Sequence, residues 1–258
     1  MSRPILLAEA LAARLRVVPR QADDCIALGD AAVDARLGGG IARGALHEIY
    51  AASEDDASAA AGFALMLAIA AAPDRPVVWV RDERGARRTG LLYAPGLVDL
   101  GIDAGTVLLV MVDDERAVLR AADDIVRHGG AGAVVVEPSG RAPALDLTAS
   151  RRLAMAAGRG GLPAIILRIG AEPAPSAAQT RWRVAAAPSF ALDADAPGAP
   201  AFDISLLRHR SGLAGFDARL EWNRDTRSFA PVSGRRPAAA PVRASPARTG
   251  PAPARQAA

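Results

Sequence analysis

The chain has 258 residues and an apolar fraction of 51%, which suits one large α/β domain with a tail. The single cysteine, Cys25, excludes an internal disulfide, fits a reducing compartment and is interpreted as a small core residue. The N-terminus lacks a secretory signal pattern, and the longest apolar stretch, 59–72, is shorter than the ~20 residues that span a bilayer. The sequence therefore predicts a cytoplasmic protein with no membrane segment.

The charge of the chain is concentrated at one end. The net charge is +3, but residues 231–258 hold five arginines and no acid, so the remainder carries 3 − 5 = −2. This segment is mostly Pro, Ala and Arg, which cannot offset the entropy cost of ordering, and it is predicted to be a disordered tail. The sequence contains no lysine, so all 31 Lys/Arg positions are arginine.

Residues 1–25 are interpreted as an N-terminal helix or arm. Leu7, Leu11 and Leu15 recur at helical spacing, and Pro19 ends the pattern. Two interpretations stay open, because such a helix can pack on its own domain or dock on a partner.

The pattern of the core, residues 26–230, begins with a glycine cluster at 37–44. A tight turn entering the sheet is the favoured interpretation of that cluster, because it precedes the strand predicted at 45–50 instead of following it. A helix is predicted at 57–72, with Ser53 as a capping residue. Continuous apolar runs, typical of strands buried on both faces, follow at 77–80, 107–112, 133–136 and 164–169.

Between these strands lie a polar arginine-rich loop at 81–88, an amphipathic helix at 116–128 and a helix at about 148–157. Strands alternating with helices predict an α/β fold with a doubly wound, mostly parallel sheet. Three shorter strand patterns after residue 180 predict an antiparallel C-terminal extension.

The segment 51–58, between the first strand and helix, occupies the place of a phosphate loop. Binding of a triphosphate there requires glycines, a lysine and a Ser or Thr for magnesium. This segment has no glycine and no lysine, and it carries Glu54, Asp55 and Asp56. These carboxylates would repel the negative charges of a triphosphate. At ~4 Å and an effective dielectric near 20, each such like-charge pair costs about 4 kcal/mol.

The three histidines, His47, His128 and His209, lack the spacing of metal ligands, so no metal site is predicted.

The order of the segments resembles the RecA core from about residue 27 to 188. The stretch "LGGGIARGALHEIY" (37–50) resembles the opening signature of the ImuA family, and "VVWVRDE" (77–83) is similar to the strand that carries the catalytic glutamate in RecA. The C-terminal strings "LLRHR", "ARLEW" and "SF" are similar to the last strands of the ImuA family. The chain is identified as a member of this family, which implies a RecA-like fold.

The resemblance also implies function and partners. ImuA proteins act with ImuB, a Y-family polymerase relative, and with an error-prone polymerase III alpha-type subunit in translesion synthesis during the SOS response to DNA damage. RecA is a further expected partner. The arginine tail predicts only weak, salt-sensitive and non-specific DNA binding, because it has no interleaved aromatics.

The resemblance implies a nucleotide site that has lost most of the residues needed to bind and hydrolyse ATP. Glu83 matches the catalytic glutamate, Glu137 matches the Walker B acid, and 168–169 replace the nucleotide sensor. Ser53, Ser58, Glu83 and Glu137 are the expected remnant of the site. Because lysine is absent, we expect a non-catalytic adaptor without a cofactor. Two alternatives stay open: a weak RecA-type ATPase that uses an arginine from 81–88, and a SulA-type inhibitor of cell division.

Overall fold

The computed structural model describes residues 24–191, 196 and 198–232. The predicted N-terminal helix, and all of the predicted tail except residues 231 and 232, lie outside these residues. Cys25, placed at the end of the N-terminal arm by the sequence, lies buried in the first strand of the described part.

The elements follow one another in the predicted order. The strands are β1 (Cys25–Ile26), β2 (Ile41–Ala42), β3 (Leu46–Ala51), β4 (Val77–Asp82), β5 (Val107–Val112), β6 (Ala133–Glu137), β7 (Ala164–Arg168), β8 (Thr180–Ala187), β9 (Ala201–His209), β10 (Asp217–Asn223) and β11 (Ser228–Pro231). The helices are α1 (Ala31–Leu37), α2 (Ala57–Ala71), α3 (Glu83–Thr89), α4 (Ala94–Asp99), α5 (Glu115–His128) and α6 (Leu147–Gly160).

Nine strands form one sheet in the order β11-β10-β9-β8-β3-β7-β6-β4-β5. The six strands from β8 to β5 are parallel, and β9, β10 and β11 continue the sheet in antiparallel fashion. This confirms the predicted mostly parallel α/β sheet with antiparallel C-terminal strands. One detail differs from the prediction: β8 pairs in parallel with β3 on its other side, so the antiparallel part begins one strand later.

Alternating side chains build a separate apolar core on each face of the sheet. Val77 and Trp79 of β4 pack toward α2 and α4, whereas Val78 and Val80 pack toward α5 and α6. Helix α5 is amphipathic as predicted, with Val118 on its buried face.

Helix α2 is enclosed almost all round, because the antiparallel strands curl over it. Phe63 of α2 contacts Phe229 of β11 with ring centroids 4.9 Å apart. Trp222 of β10 donates from its indole nitrogen to the carbonyl of Leu100, which follows α4, at 2.8 Å. The sheet and α4 therefore close around this helix, which is why its sequence is apolar on every side.

Three local predictions were wrong. Strand β5, predicted to be buried, is the edge strand, and Leu108 is 51% exposed there because hydropathy does not report the order of strands. Residues 81–88 do not form a loop: Arg81 and Asp82 lie buried at the end of β4, and 83–88 belong to α3. Ser53 does not cap α2, whose N-cap residue is Asp56.

The glycine cluster forms the tight turn that the sequence predicts. Gly38 ends α1 in the left-handed conformation, and Gly40 has a φ of 123°. A Cβ on Gly40 would lie 2.3 Å from the carbonyl oxygen of Ile26, so only glycine lets β2 approach β1.

Candidate functional site

A polar cavity of about 380 Å³ lies where β3, β4, β6 and β7 end, at the carboxyl edge of the parallel sheet. Ligand sites of doubly wound sheets lie at this edge. The walls come from the start of α2, from α3 and from the turns after β6 and β7: Glu54, Ala57, Ser58, Gly85, Arg88, Thr89, Glu137, Pro138, Ser139, Gly140 and Ile169. Of the predicted site residues, Ser58 and Glu137 line this cavity, whereas Ser53 and Glu83 do not.

The carboxylate of Glu137 is held by donors from the chain itself. The indole nitrogen of Trp79 donates to Oε2 at 2.8 Å, and a guanidinium nitrogen of Arg81 donates to Oε1 at 3.1 Å. The hydroxyl of Thr89 lies 3.5 Å from Oε1. Both oxygens of Glu137, the residue for which the sequence predicts a Walker B role, are thus engaged by internal partners.

The ion pair between Arg81 and Glu137 is buried, with side-chain exposures of 3% and 6%. Burial raises the pKa of Glu137 above its ordinary value, although the positive charge of Arg81 opposes the rise. Arg81 also donates to the carbonyl of Gly90 at 2.9 Å and to the hydroxyl of Thr89 at 2.5 Å. This network ties the end of β6 to β4 and α3.

The segment 52–56, at the phosphate-loop position, is held by its own acids. The hydroxyl of Ser53 donates to Asp56 at 2.7 Å, and the backbone N–H of Ala186 in β8 donates to the same carboxylate at 2.9 Å. These bonds, the one from Ser53 most of all, lower the pKa of Asp56. Glu54 pairs with Arg88 of α3 at 3.2 Å. Ser53 therefore stabilises the turn, and Arg88 is the single basic residue in the cavity wall.

Glu83 lies on the solvent side of α3. Its carboxylate pairs with Arg87 one turn later at 2.9 Å, and its side chain is 56% exposed. The preceding residue, Asp82, is buried instead and accepts from the backbone N–H groups of Gly85 at 2.7 Å and Ser139 at 2.8 Å. Burial opposes its ionisation, but these two hydrogen bonds outweigh that effect and lower its pKa.

At the position of the nucleotide sensor, Arg168 is buried and bonded to the main chain. One of its nitrogens donates to the carbonyls of Gly140 and Arg141, at 3.1 and 2.8 Å. Burial lowers the pKa of its guanidinium. Its side chain thus supports the turn after β6, and Ile169 supplies the cavity wall beside it.

A second, mainly apolar cavity of about 270 Å³ adjoins the first, because Ala57, Ser58, Thr89 and Glu137 line both. Its other walls come from α2 and from residues 90–100. The sequence did not reveal this cavity or Thr89 as a wall residue, and it offered an arginine of 81–88 only for the weak-ATPase alternative, without singling out Arg81 or Arg88. Their signal was the run "VRDERGARRT", in which arginines recur beside each acid.

His47 and His209 have structural partners, whereas His128 is exposed in the last turn of α5. His47 is buried and bonds to the hydroxyl of Thr180 and the carbonyl of Ala42, each at 2.8 Å. His209 is buried and bonds to the hydroxyl of Ser211 at 2.6 Å. Within residues 24–191, 196 and 198–232, no three His, Cys, Asp or Glu side chains cluster as a metal site would require. No helix in the same ranges is both long and apolar enough to span a bilayer.

Two proteins called ImuA, from two strains of Caulobacter vibrioides, are each 35% identical to the chain over 206 residues. The matched part covers 74% of this chain and 80% of each relative. The chain belongs to the ImuA family. This confirms the resemblance seen in the sequence, although no protein-family model matches the chain.

The fold of this ImuA-family chain is RecA-like. The crystal structure of the RadB recombinase superposes with a TM-score of 0.53 at 17% identity, covering 80% of this chain and 99% of RadB. At that identity the likeness concerns the fold alone. The cavity of this ImuA-family chain thus lies at the carboxyl edge of a RecA-like sheet, and its wall residues Glu54 and Glu137 pair with Arg88 and Arg81.

Proposed function

We propose that the protein is a non-catalytic accessory factor of damage-induced mutagenesis, which recruits or regulates other proteins during translesion DNA synthesis in the SOS response. Membership of the ImuA family and the RecA-like fold support this role. The proposed partners are an ImuB-like Y-family polymerase relative, an error-prone polymerase III alpha-type subunit and RecA. The proposed location is the cytoplasm.

One observation carries the non-catalytic part of the proposal. Among the described residues, both carboxylates in the cavity wall are paired with an arginine of the same chain: Glu137 with Arg81, and Glu54 with Arg88. Glu83, on the solvent side of α3, is paired with Arg87. A magnesium ion needs carboxylate oxygens that are open to it, and a γ-phosphate needs a lysine. The chain has no lysine, and both carboxylates of the cavity wall already pair with an arginine.

Binding between purified proteins tests the accessory role. We expect the full chain to retain the ImuB-like protein, with the error-prone polymerase or RecA in the same complex. A chain ending at residue 232 serves as the matched comparison, because it keeps every described element. If the full chain retains none of these three proteins, the proposal is wrong. Retention of the division tubulin alone would favour the SulA-type alternative.

A weak ATPase is the second candidate, because Arg88 brings a guanidinium into the cavity wall. Titration with magnesium and a fluorescent ATP analogue, followed by a phosphate-release assay, separates the two functions. We expect no saturable micromolar binding and no turnover. Saturable binding that Arg88→Ala weakens, with turnover that Glu137→Gln abolishes while the chain stays folded, would establish the enzyme and refute the adaptor.

The arginine tail, 231–258, is proposed to bind DNA weakly and without sequence preference. The full chain and the chain ending at 232 should then differ in affinity for single-stranded DNA at low salt, and the difference should vanish as salt rises. Equal affinities at low salt would remove the tail from the list of DNA contacts.

A further inference from the structure

A groove lies between α6 and the end of β9 and shares no lining residue with the polar cavity. It consists of two adjoining depressions of about 410 and 440 Å³, which share Leu147, Ser176 and Arg208. Arg151 and Met155 of α6 and Arg210 after β9 complete the walls of the first depression. We call this feature the α6 groove.

The two large apolar side chains of the α6 groove, Leu147 and Met155, do not belong to the buried core. Helix α6 packs on the sheet through Leu153 and Ala157, which are buried in the core. Leu147 and Met155 lie outside that buried set and are 44% and 52% exposed. Two large apolar side chains that stay in solvent beside a groove indicate a contact surface.

The groove is also strongly basic. Arg151, Arg208 and Arg210 line it, and none of them has a carboxylate within 4.0 Å among the residues that the structure describes. Arg208 is positioned by a bond to the carbonyl of Ser176 at 3.2 Å. The floor is fixed by Arg181, which is paired with the buried Glu48 at 2.7 Å.

The positive charge of the groove favours an acidic occupant and disfavours the basic ends of this chain. Residues 233–258 of the chain carry only positive charges, and residues 1–23 carry four arginines against two acids, so both ends of the chain are repelled. Nucleic acid would satisfy the arginines but leave Leu147 and Met155 without apolar partners. Methionine and arginine together are typical of protein interfaces.

We propose that the α6 groove docks a segment of a partner protein that carries carboxylates together with a large apolar side chain. The carboxylates would pair with Arg151, Arg208 and Arg210, and the apolar side chain would pack between Leu147 and Met155. The proposal rests on the accessory function only in taking the partner to be a protein of the damage response.

Quantitative binding of the purified full chain to the ImuB-like protein and to the error-prone polymerase tests this surface. The double variant Arg151→Glu/Arg208→Glu should weaken binding of at least one of them by at least about tenfold, a loss of ~1.4 kcal/mol. Met155→Ser should weaken the same interaction without changing its salt dependence. The double variant Arg116→Glu/Arg120→Glu, an equal charge change at two exposed positions of α5, is the matched control and should leave binding within about twofold.

The outcomes separate the surface from the function. If wild type binds a partner and the groove variants bind it equally well, the α6 groove is refuted while the accessory function stands. If wild type binds neither partner nor RecA, the function fails and the surface fails with it. Two further results would refute the proposal: groove variants that lose only affinity for a labelled single-stranded DNA, or only self-association in sedimentation. Unchanged melting temperatures show that the variants fold.

Discussion

Replacement of Arg81 by methionine tests how the polar cavity is held together. The ion pair between Arg81 and Glu137 is 3.1 Å long and almost completely buried. Without the guanidinium, the carboxylate keeps only Trp79 and the distant hydroxyl of Thr89 as donors. Removing one partner of a buried pair costs about 3–5 kcal/mol, because it leaves an uncompensated charge. We expect the free energy of unfolding to fall by that amount, a large part of the 5–15 kcal/mol typical of a domain.

The loss should depend on pH. Burial already raises the pKa of Glu137, and removal of the Arg81 charge raises it further. A carboxyl whose pKa is higher in the folded state binds its proton more tightly there. Its protonated form therefore adds to the free energy of unfolding, and this stabilisation is complete below the unfolded-state pKa of about 4.3. That contribution is lost as the pH rises through the folded-state pKa. The cost of Arg81→Met should therefore be smallest in acid and reach its full size near neutrality.

Urea unfolding at pH 4.5 and 7.5, followed by circular dichroism, measures both effects. The comparison requires that the free energy of unfolding falls with urea concentration at the same slope in variant and wild type. The double variant Arg81→Met/Glu137→Gln removes both charges and should recover most of the loss at pH 7.5. The ion pair does not stabilise the fold as expected if Arg81→Met costs less than about 1 kcal/mol. The two side chains are not coupled if the loss in the double variant equals the sum of the losses in Arg81→Met and Glu137→Gln.

Three further predictions concern stability, each measured by urea unfolding. Asp82→Ala should lower the free energy of unfolding by about 2 kcal/mol, because it leaves two backbone donors unpaired. Because the pKa of Asp82 is lowered in the folded state, this difference from wild type should shrink as the pH falls below about 4. Gly40→Ala should cost more than the ~1 kcal/mol expected of Gly129→Ala, which also has a positive φ but an open Cβ position; equal losses would refute the steric argument. Phe229→Ala should cost about 3–5 kcal/mol, whereas the exposed Tyr93→Ala should cost less than about 0.5.

Much of the fold follows from the sequence because its signals are local. Buried strands such as β4 and β6 are short apolar runs, and α5 shows a clear helical period, so their types and bounds were predicted within a few residues. The order of strands depends on contacts between distant segments. Hydropathy therefore did not reveal that β5 lies at the edge, nor that β8 is parallel to β3 on one side and antiparallel to β9 on the other.

The position of the candidate site in the fold follows from the sequence, but the contacts between its side chains do not. Ser58, in the segment after β3, and Glu137, at the end of β6, line one cavity. The arginine partners of its acids were missed, because pairing of Arg88 with Glu54 and of Arg81 with Glu137 depends on how α3 folds back over the sheet edge. Helix α3 was itself missed, since its sequence is polar and short.

The enclosure of α2 by the C-terminal strands has a consequence for how the chain acquires its structure. Phe63, from the first quarter of the sequence, meets Phe229 near the end of the described part. A ribosome must therefore synthesise nearly the whole chain before this apolar helix is covered, and contacts between such distant segments form slowly. During translation the exposed helix is a surface that chaperones can bind, and a transcript cut short before β11 would yield a product that cannot shield it.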